Sequence, residues 1–465
     1  MPATEKAIHL CDLSLHFIPV EMRVPLKFGA QVQDSVTCAR VRVEVEGTQG
    51  QRAVGWGETP LAVAWVWPSA LDYEVRHQAL KDFTLTIANA LSEMNAAGHP
   101  IELGFDFIEH QLVSLQENFN EARLGQEPLP HLAALVCFSL FDIAIHDAFG
   151  NLHQRPTYET YDREFLSRDL GDLIEPAVEH VSFAGLFPAD FLSASPRKQL
   201  PVWHLVGGLD PISDAELTGD EPNDGYPVLL RDWIRRDKLD CLKIKLRGND
   251  SIWDYQRLSE IGKISAEENV TWLTTDFNCT VTDPAYVNEI LDRLKMDDPL
   301  TYQKILYVEQ PFPYDLMANQ IDVHSVSARK PLFMDESAHD WKYVRLGRQF
   351  GWNGVALKTC KTQTGALLSL CWAKAHGMTL MVQDLTNPML AQIPHFLLAA
   401  HAGTIMGVES NGMQFYPEAS APEREIHPRL YRRQQGVLDG STLSDRGLGY
   451  RVEEIDRPLP DPVFG

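Results

Sequence analysis

The chain has 465 residues, 44% of them hydrophobic, enough for two or three domains and a large core. Its 41 Lys plus Arg stand against 64 Asp plus Glu, and the formal net charge of −23 argues against nucleic acid or an anionic membrane as main partner, while leaving room for a small anionic substrate in a locally basic pocket. No uninterrupted apolar run reaches about 18 residues, MPATEKAIHL lacks the basic start and apolar stretch of a signal peptide, and the seven cysteines form no CxxC pair, so a reducing cytoplasm is expected.

The first 60 residues read as strands at 7–20, 35–46 and 52–57, broken by Gly and Pro turns. In TCARVRVEVEG, Val41, Val43 and Val45 share one face and Arg42, Glu44 and Glu46 the other. From about residue 71 the pattern turns helical, and 131–150 is a strongly apolar helix expected to end at Gly150. Residues 153–199 mix charges, aromatics and Pro156, Pro188 and Pro196, and read as an insertion or long connection.

From about residue 200 the rhythm changes. Short apolar, β-branched runs recur at 201–206, 241–246, 271–277, 305–310, 331–337, 354–358, 379–384 and 404–410, with helical segments between most of them. One of these helices carries Asp283 at its N-cap and Pro284 at its first position. Eight such strands predict a parallel (β/α) barrel. The alternative is an open doubly wound sheet, whose glycine-rich phosphate turn is missing; GGLDP at 207–211 is a poor substitute.

In a barrel, catalytic groups belong at the C-terminal strand ends, which converge on one mouth. Lys243 and Lys245 lie on the second run, Asp276 and Asn278 end the third, and Glu309 ends the fourth. Asp335 and Glu336 end the fifth, Lys358 the sixth, Gln383 and Asp384 the seventh, and Glu409 the eighth. Asp276, Glu309 and Asp335 come from adjacent strands and supply hard oxygen ligands of the kind Mg²⁺ takes; the absence of His and Cys at these places disfavours zinc. Taken singly, each carboxylate might as well cap a helix.

Strand alternation turns Lys243 and Lys245 one way and Leu242, Ile244 and Leu246 the other. The apolar face is expected to meet the helices, leaving the lysines facing the barrel interior. Lys358 lies four places round the ring and would face Lys245 across the carboxylates. The bland alternative is lysines snorkelling at exposed strand ends. Two opposed lysines and a divalent cation can remove a proton alpha to a carboxylate and return one from the other side, with the cation stabilising the enediolate. Metal and lysine neighbours are expected to lower a lysine pKa towards neutrality.

The order KxK (Lys243–Lys245), DFN (Asp276–Asn278), EQP (Glu309–Pro311), DES (Asp335–Ser337) and LK (Leu357–Lys358) resembles the enolase superfamily, in its mandelate racemase/muconate lactonizing enzyme branch. GWGETP at 55–60 resembles the family's capping domain, PVWHLVGG at 201–208 its first barrel strand, and GLGYRVEEID at 447–456 the segment returning to the cap. The resemblance implies an α/β chain: a (β/α)7β TIM-like barrel with an α+β N-terminal capping domain completed by the C-terminal segment. The expected parts are the cap at 1–152, an insertion at 153–199, the barrel at 200–418 and the returning segment at 419–465. The resemblance implies Mg²⁺ ligands at Asp276, Glu309 and Asp335 and acid/base lysines at Lys245 and Lys358, with Lys243 near the substrate carboxylate. By their strand-end positions Asn278, Glu336, Asp384 and Glu409 are expected either to bind substrate or to support the groups that do, Glu336 alternating away from Asp335. It also implies cap loops at 21–30 and 58–67 closing the mouth. Lysine on the sixth strand departs from the mandelate-racemase and sugar-acid-dehydratase branches, which rely on histidine there or nearby.

These residues predict a Mg²⁺-dependent enzyme acting on a small carboxylate, as a racemase/epimerase or cycloisomerase. A syn-dehydratase of the o-succinylbenzoate synthase kind, an enzyme using Asp384 as an acid, and a non-catalytic ligand-binding barrel stay open. The chain departs from the branch in TCKTQTG after Lys358, in QDLTNP and VESNG, and in the 153–199 insertion, which is expected to set specificity with the cap loops. Trp65 and Trp67 read equally as a substrate cap or as cap core. Lys361 reads as a solvated loop charge and Arg23 as a surface residue, and the family's habits allow a homo-oligomer.

Overall fold

The computed structural model describes residues 5–28 and 31–465. The expected closing loop at 21–30 therefore ends on two residues, 29 and 30, outside the described set.

The chain opens with an antiparallel sheet in the order β1 (Ile8–Phe28), β2 (Gln31–Gly47), β3 (Arg52–Pro60). β1 and β2 reach further than the expected 7–20 and 35–46. Backbone pairing resumes beyond an irregularity at Glu21/Leu26 and runs to Phe28 opposite Gln31; Met22, Val24 and Leu26 alternate with Glu21, Arg23 and Pro25 and pack into one apolar cluster. Val41, Val43 and Val45 are fully buried, and Arg42, Glu44 and Glu46 point outward.

Five helices complete this part: α1 (Val63–Val66), α2 (Tyr73–Ser92), α3 (Pro100–Phe107), α4 (Val113–Ala122) and α5 (His131–Leu152). α5 is apolar on nearly every side because it is surrounded. It is long and apolar enough to cross a membrane, but the window concerned is wholly buried inside the protein. Gly55 and Gly57 of β3 face it, and a Cβ on either would strike the α5 backbone between Leu140 and Ala148. That close approach accounts for the glycines of GWGETP. Gly150 does not end α5; it lets the helix touch Gly447, and the helix runs on to Leu152.

Residues 153–199 contain only short 3₁₀ turns. They strap α3 to the barrel, and Tyr158 and Tyr161 also accept from Gln363, close to the Lys358 strand end. Glu102 of α3 accepts from the Ser167 and Arg168 backbone N–H groups and from the Ser167 hydroxyl. At the far end, Trp372 donates to the Glu175 carbonyl and Lys374 to the Phe191 carbonyl. The segment thus joins the N-terminal helices to the barrel.

Eight parallel strands then curl into the TIM-like barrel: β4 (Gln199–Val206), β5 (Cys241–Lys245), β6 (Trp272–Asp276), β7 (Ile305–Glu309), β8 (Leu332–Met334), β9 (Gly354–Leu357), β10 (Thr379–Val382) and β11 (Val408–Glu409). The order is β10-β9-β8-β7-β6-β5-β4-β11, and the Ile405 N–H donates to Leu380 O between the two ends of this row. The intervening helices are α6 (Leu230–Asp237), α7 (Ser251–Glu267), α8 (Pro284–Asp297), α9 (Pro299–Lys304), α10 (His324–Ser327), α11 (Trp341–Phe350), α12 (Gln363–Ala375) and α13 (Gln392–Ala402). The predicted cap at Asp283 is present, accepting from Ala285 N. Trp203, Cys241, Tyr307, Phe333 and Met381 form one buried cluster contributed by five of the strands.

The chain's last part forms β12 (Val437–Asp439), antiparallel to the start of β4, and then returns to β1, where Leu15 and Phe464 bridge. A buried ion network adds a second tie. Glu58 of β3 and Glu423 both hold Arg40, and Glu423 also takes Arg457.

Candidate active site

The alternation of the barrel strands places the polar residues. Two residues beyond the buried Cys241, Tyr307, Phe333 and Met381 stand Lys243, Glu309, Asp335 and Gln383. The parallel register aligns Lys245 with Asp276 and Asp276 with Glu309. Leu242, Ile244 and Leu246 face the opposite way, into the core shared with the helices. Lys243, Lys245 and Lys358 are at most 6% exposed, and Asp276 and Glu309 are fully covered.

The ammonium groups are threaded between carboxylates. Lys243 Nζ lies 2.6 Å from Glu309 Oε1, 2.9 Å from Glu409 Oε2 and 3.1 Å from Asp276 Oδ2. Lys245 donates to the same Asp276 oxygen. Lys358 Nζ is 3.1 Å from Asp335 Oδ2 and donates to the Asp384 carbonyl at 2.9 Å. Gln383 donates to Glu309 Oε2, so that carboxylate is held on both oxygens.

Burial penalises every one of these charges, and the neighbours decide the outcome. For Asp276 burial is outweighed by Lys245 and Lys243, and its pKa is lowered. Asp335 is lowered against burial by Lys358 and Lys361. Glu309 is pushed well up, by burial first and then by Asp276. Lys358 and Lys243 are raised, and neighbouring carboxylates are the cause. Burial works against the Lys358 ammonium, but Asp335 outweighs it and the pKa rises; Glu309, Glu409 and Asp276 do the same for Lys243. In this setting carboxylates, not other cations, dominate each lysine's surroundings.

The cluster suits a divalent cation in chemistry and in charge. Six buried carboxyl groups, Asp276, Glu309, Asp335, Glu336, Asp384 and Glu409, stand beside four buried ammonium groups, Lys243, Lys245, Lys358 and Lys361, so holding all six as carboxylates calls for further positive charge. Asp276, Glu309 and Asp335 offer the hard oxygens that Mg²⁺ takes. Among the described residues the sole His/Cys/Asp/Glu trio already gathered within 4.8 Å is His9, Cys11 and Glu46 on the N-terminal sheet, so the three barrel carboxylates are paired with lysines rather than drawn together.

The other expected residues divide into distinct roles. Asn278 follows β6 with a left-handed backbone (φ 47°); its N–H donates to Asp276 Oδ1 and its amide lies 3.4 Å from Glu336 Oε1. Glu336 is buried at the mouth, its carboxyl pushed up to about 7 by burial and by Asp335. Asp384 accepts from the N–H groups of Asn387 and Asn411 and from the Asn411 amide, which ties the ends of β10 and β11 together. Glu409 is shared between Lys243 and the Asn411 amide.

Five residues behave differently from the sequence reading or escaped it. Lys361 is buried, not solvated: it donates to the Asp335 carbonyl, lies 3.4 Å from Asp335 Oδ1, and has its pKa lowered by burial. The 3₁₀ turn Thr359–Lys361 after Lys358 swings it inward. Arg23 is largely covered, donating to Asp224 and, at 3.1 Å, to the Tyr226 carbonyl. Trp65 and Trp67 separate: Trp67 is core and donates to Glu127, whereas Trp65 reaches the mouth, donates to Glu336 Oε1 at 2.9 Å and lies 4.9 Å from Lys358 Nζ at its ring centroid. Gln310 was quoted only as the middle of EQP; its side-chain oxygen accepts from Asp335 N, Ser337 N and Ser337 Oγ, aligning the fifth strand end with the fourth.

No family model matches the chain, and no curated protein matches its sequence. Solved structures do match its fold. A dipeptide epimerase from Enterococcus faecalis, complexed with Mg and the dipeptide L-Leu-L-Tyr, is 16% identical with a TM-score of 0.61, the match covering 95% of this chain and 99% of that one. An N-succinyl Arg/Lys racemase from Bacillus cereus is 17% identical with a TM-score of 0.61, over 96% and 97% of the two chains. A muconate lactonizing enzyme from Pseudomonas fluorescens, complexed with muconolactone, is 15% identical with a TM-score of 0.59, over 97% and 99%. The chain has the enolase-superfamily fold, in the form taken by mandelate racemase/muconate lactonizing proteins.

Proposed function

We propose that this chain is a Mg²⁺-dependent enzyme that removes the proton alpha to a substrate carboxylate, acting as a racemase/epimerase or cycloisomerase. The observation that carries the reading is the pairing of Lys245 with Asp276 and of Lys358 with Asp335 in one buried mouth, on strands four places apart in an eight-strand ring. The fold's representatives include epimerases, racemases and muconate lactonizing enzymes, which supports the same chemistry.

Asp276, Glu309 and Asp335 would hold the cation, which when bound would stabilise the negative charge growing on the substrate carboxylate as its α-proton leaves. The chain's own residues do the rest. Lys358, kept as an ammonium by Asp335, is placed to deliver a proton; Lys245 is placed to take one from the opposite side. Lys243, fixed by three carboxylates, stays charged and holds the substrate carboxylate in place. Trp65 closes over Lys358 and keeps bulk water from the proton path. Asp384 is a poor candidate for the acid of a dehydratase, because three N–H donors already face its carboxyl.

A library of N-acyl amino acids, dipeptides and unsaturated diacids, incubated in D₂O with Mg²⁺, tests the proposal. At least one member is expected to exchange its α-proton in a Mg²⁺-dependent way. A library that binds without any exchange would favour the non-catalytic barrel.

A further inference from the structure

Beside the lysines, between the N-terminal domain and the barrel loops, lies a cavity of about 400 Å³. Trp65 forms part of one wall, Asn278 and Cys279 another, and Tyr314 and Glu336 the rest. The partition between it and the proton-transfer lysines is thin. Trp65 stands over Lys358, and Glu336 lies close enough to Lys245 and Lys358 to feel both charges.

The wall has a definite polarity. Glu336 is the only Asp, Glu, Lys or Arg among the described lining residues. It is 5% exposed, and its two oxygens are treated unequally. Oε1 accepts from Trp65 Nε1 at 2.9 Å and faces the Asn278 amide at 3.4 Å, whereas Oε2 has no N–H or O–H donor among the described residues, the Cys279 thiol being the weak donor close to this carboxyl. An acceptor left unpaired under burial costs free energy until a donor arrives. No arginine or lysine lines the space to receive an anion, and Arg23, the cation of the neighbouring loop, is already occupied by Asp224 and Tyr226.

We propose that this cavity receives the substrate's far end, that Glu336 Oε2 accepts a hydrogen bond from an amide N–H or ammonium there, and that a second carboxylate is excluded. The proposal rests on the α-proton reading above and narrows it: the substrate class is a monocarboxylate with a distal N–H donor, with Trp65 and Tyr314 supplying flat faces for its apolar part. A distal carboxylate would bring a second buried carboxyl against Glu336, with no basic side chain among the described lining residues to pair with it.

Matched N-acyl amino acids and dipeptides that differ only in a distal ammonium, carboxamide or carboxylate provide the test, followed by α-proton exchange in D₂O and by calorimetric binding. The ammonium and carboxamide members are expected to exchange at least ~100-fold faster than the carboxylate member, a discrimination within the range of a site with an unpaired buried polar group. In Glu336→Gln, which keeps an acceptor for Trp65, the ammonium-over-carboxylate preference is expected to fall about 10-fold or more. A carboxylate member that exchanges or binds as well as its carboxamide partner would overturn the subsite, as would an unchanged preference in Glu336→Gln. If nothing exchanges, the α-proton reading fails while the binding order still decides the subsite, and a set in which nothing binds overturns it.

Discussion

Lys361 shows how much a single buried ammonium can organise. It bonds the Asp335 carbonyl and reaches the Ala338 carbonyl at 3.3 Å, so it fixes the loop that presents Asp335. Replacing it by methionine keeps the bulk and removes the donors. Lys361→Met is expected to weaken Mg²⁺ binding by roughly 10- to 100-fold, the usual effect of losing a group that orients a metal ligand, as read by calorimetry. Unaltered Mg²⁺ affinity would mean that Asp335 needs no such support. In the sequence Lys361 is one charge in a loop, and nothing in TCKTQTG distinguishes a lysine folded inward from one in water. Lys243 and Lys245 are easier to read, because strand alternation fixes their direction. Trp65 lies between these cases: its side chain is conspicuous, yet its partner Glu336 is 271 residues away.

A second residue carries a pH signature. His401 stacks on Tyr158 at 4.1 Å between centroids, and burial lowers its pKa to about 4. Above about pH 6.5 the ring is neutral in both folded and unfolded chains. As pH falls below that, the unfolded chain takes up a proton that the folded chain refuses until about 4, so this group lowers stability progressively across the interval. His401→Gln should therefore lose less stability than the parent between pH 7 and 4.5, by roughly 2 kcal/mol, in denaturant titrations at the two pH values. Equal losses would show that His401 does not titrate this way.

Among the elements, the contact of β3 with α5 has the least slack. Gly57 faces the Leu140 carbonyl so closely that a methyl group has no space, and neither backbone is free to retreat. Gly57→Ala is expected to destabilise the fold by about 1–3 kcal/mol or more, seen as a lower unfolding midpoint. Gly50→Ala makes a useful comparison, since its left-handed turn (φ 77°) is open to solvent and only backbone strain is at stake. The barrel strands were legible because a short apolar run recurs eight times and seven of the eight close on a polar residue. The full reach of the β1–β2 pairing was not: Met22, Val24 and Leu26 alternate as a strand should, but Pro19 and Pro25 and the irregularity at Glu21/Leu26 break the run. Residues 153–199 had no rhythm to read, and their place is set by partners as distant as Trp372 and Glu102.

At the scale of the whole molecule, the chain's two ends are tied across the N-terminal sheet. Glu423 is fully buried between Arg40 and Arg457, and Arg40 in turn holds Glu58. Removing the shared carboxylate leaves the buried Arg40 and the part-buried Arg457 short of a partner. Glu423→Ala is expected to cost about 3–5 kcal/mol in denaturant unfolding, and a variant of parental stability would refute that role. The general plan was legible because strand-end spacing brings the lysines and carboxylates to one mouth. The ion network was not, since charges at 40, 58, 423 and 457 look in sequence like surface residues.

The central claim is that Lys245 and Lys358 handle the substrate's α-proton from opposite sides. It is tested most directly by following α-proton exchange of each enantiomer of a responsive substrate in D₂O by ¹H NMR, in the parent, Lys245→Ala and Lys358→Ala. The account predicts that the parent exchanges both enantiomers, and that each variant loses exchange of one enantiomer by at least ~10³-fold, Lys245→Ala one and Lys358→Ala the other. Exchange at parental rates in both variants, or loss of the same enantiomer in both, would contradict it.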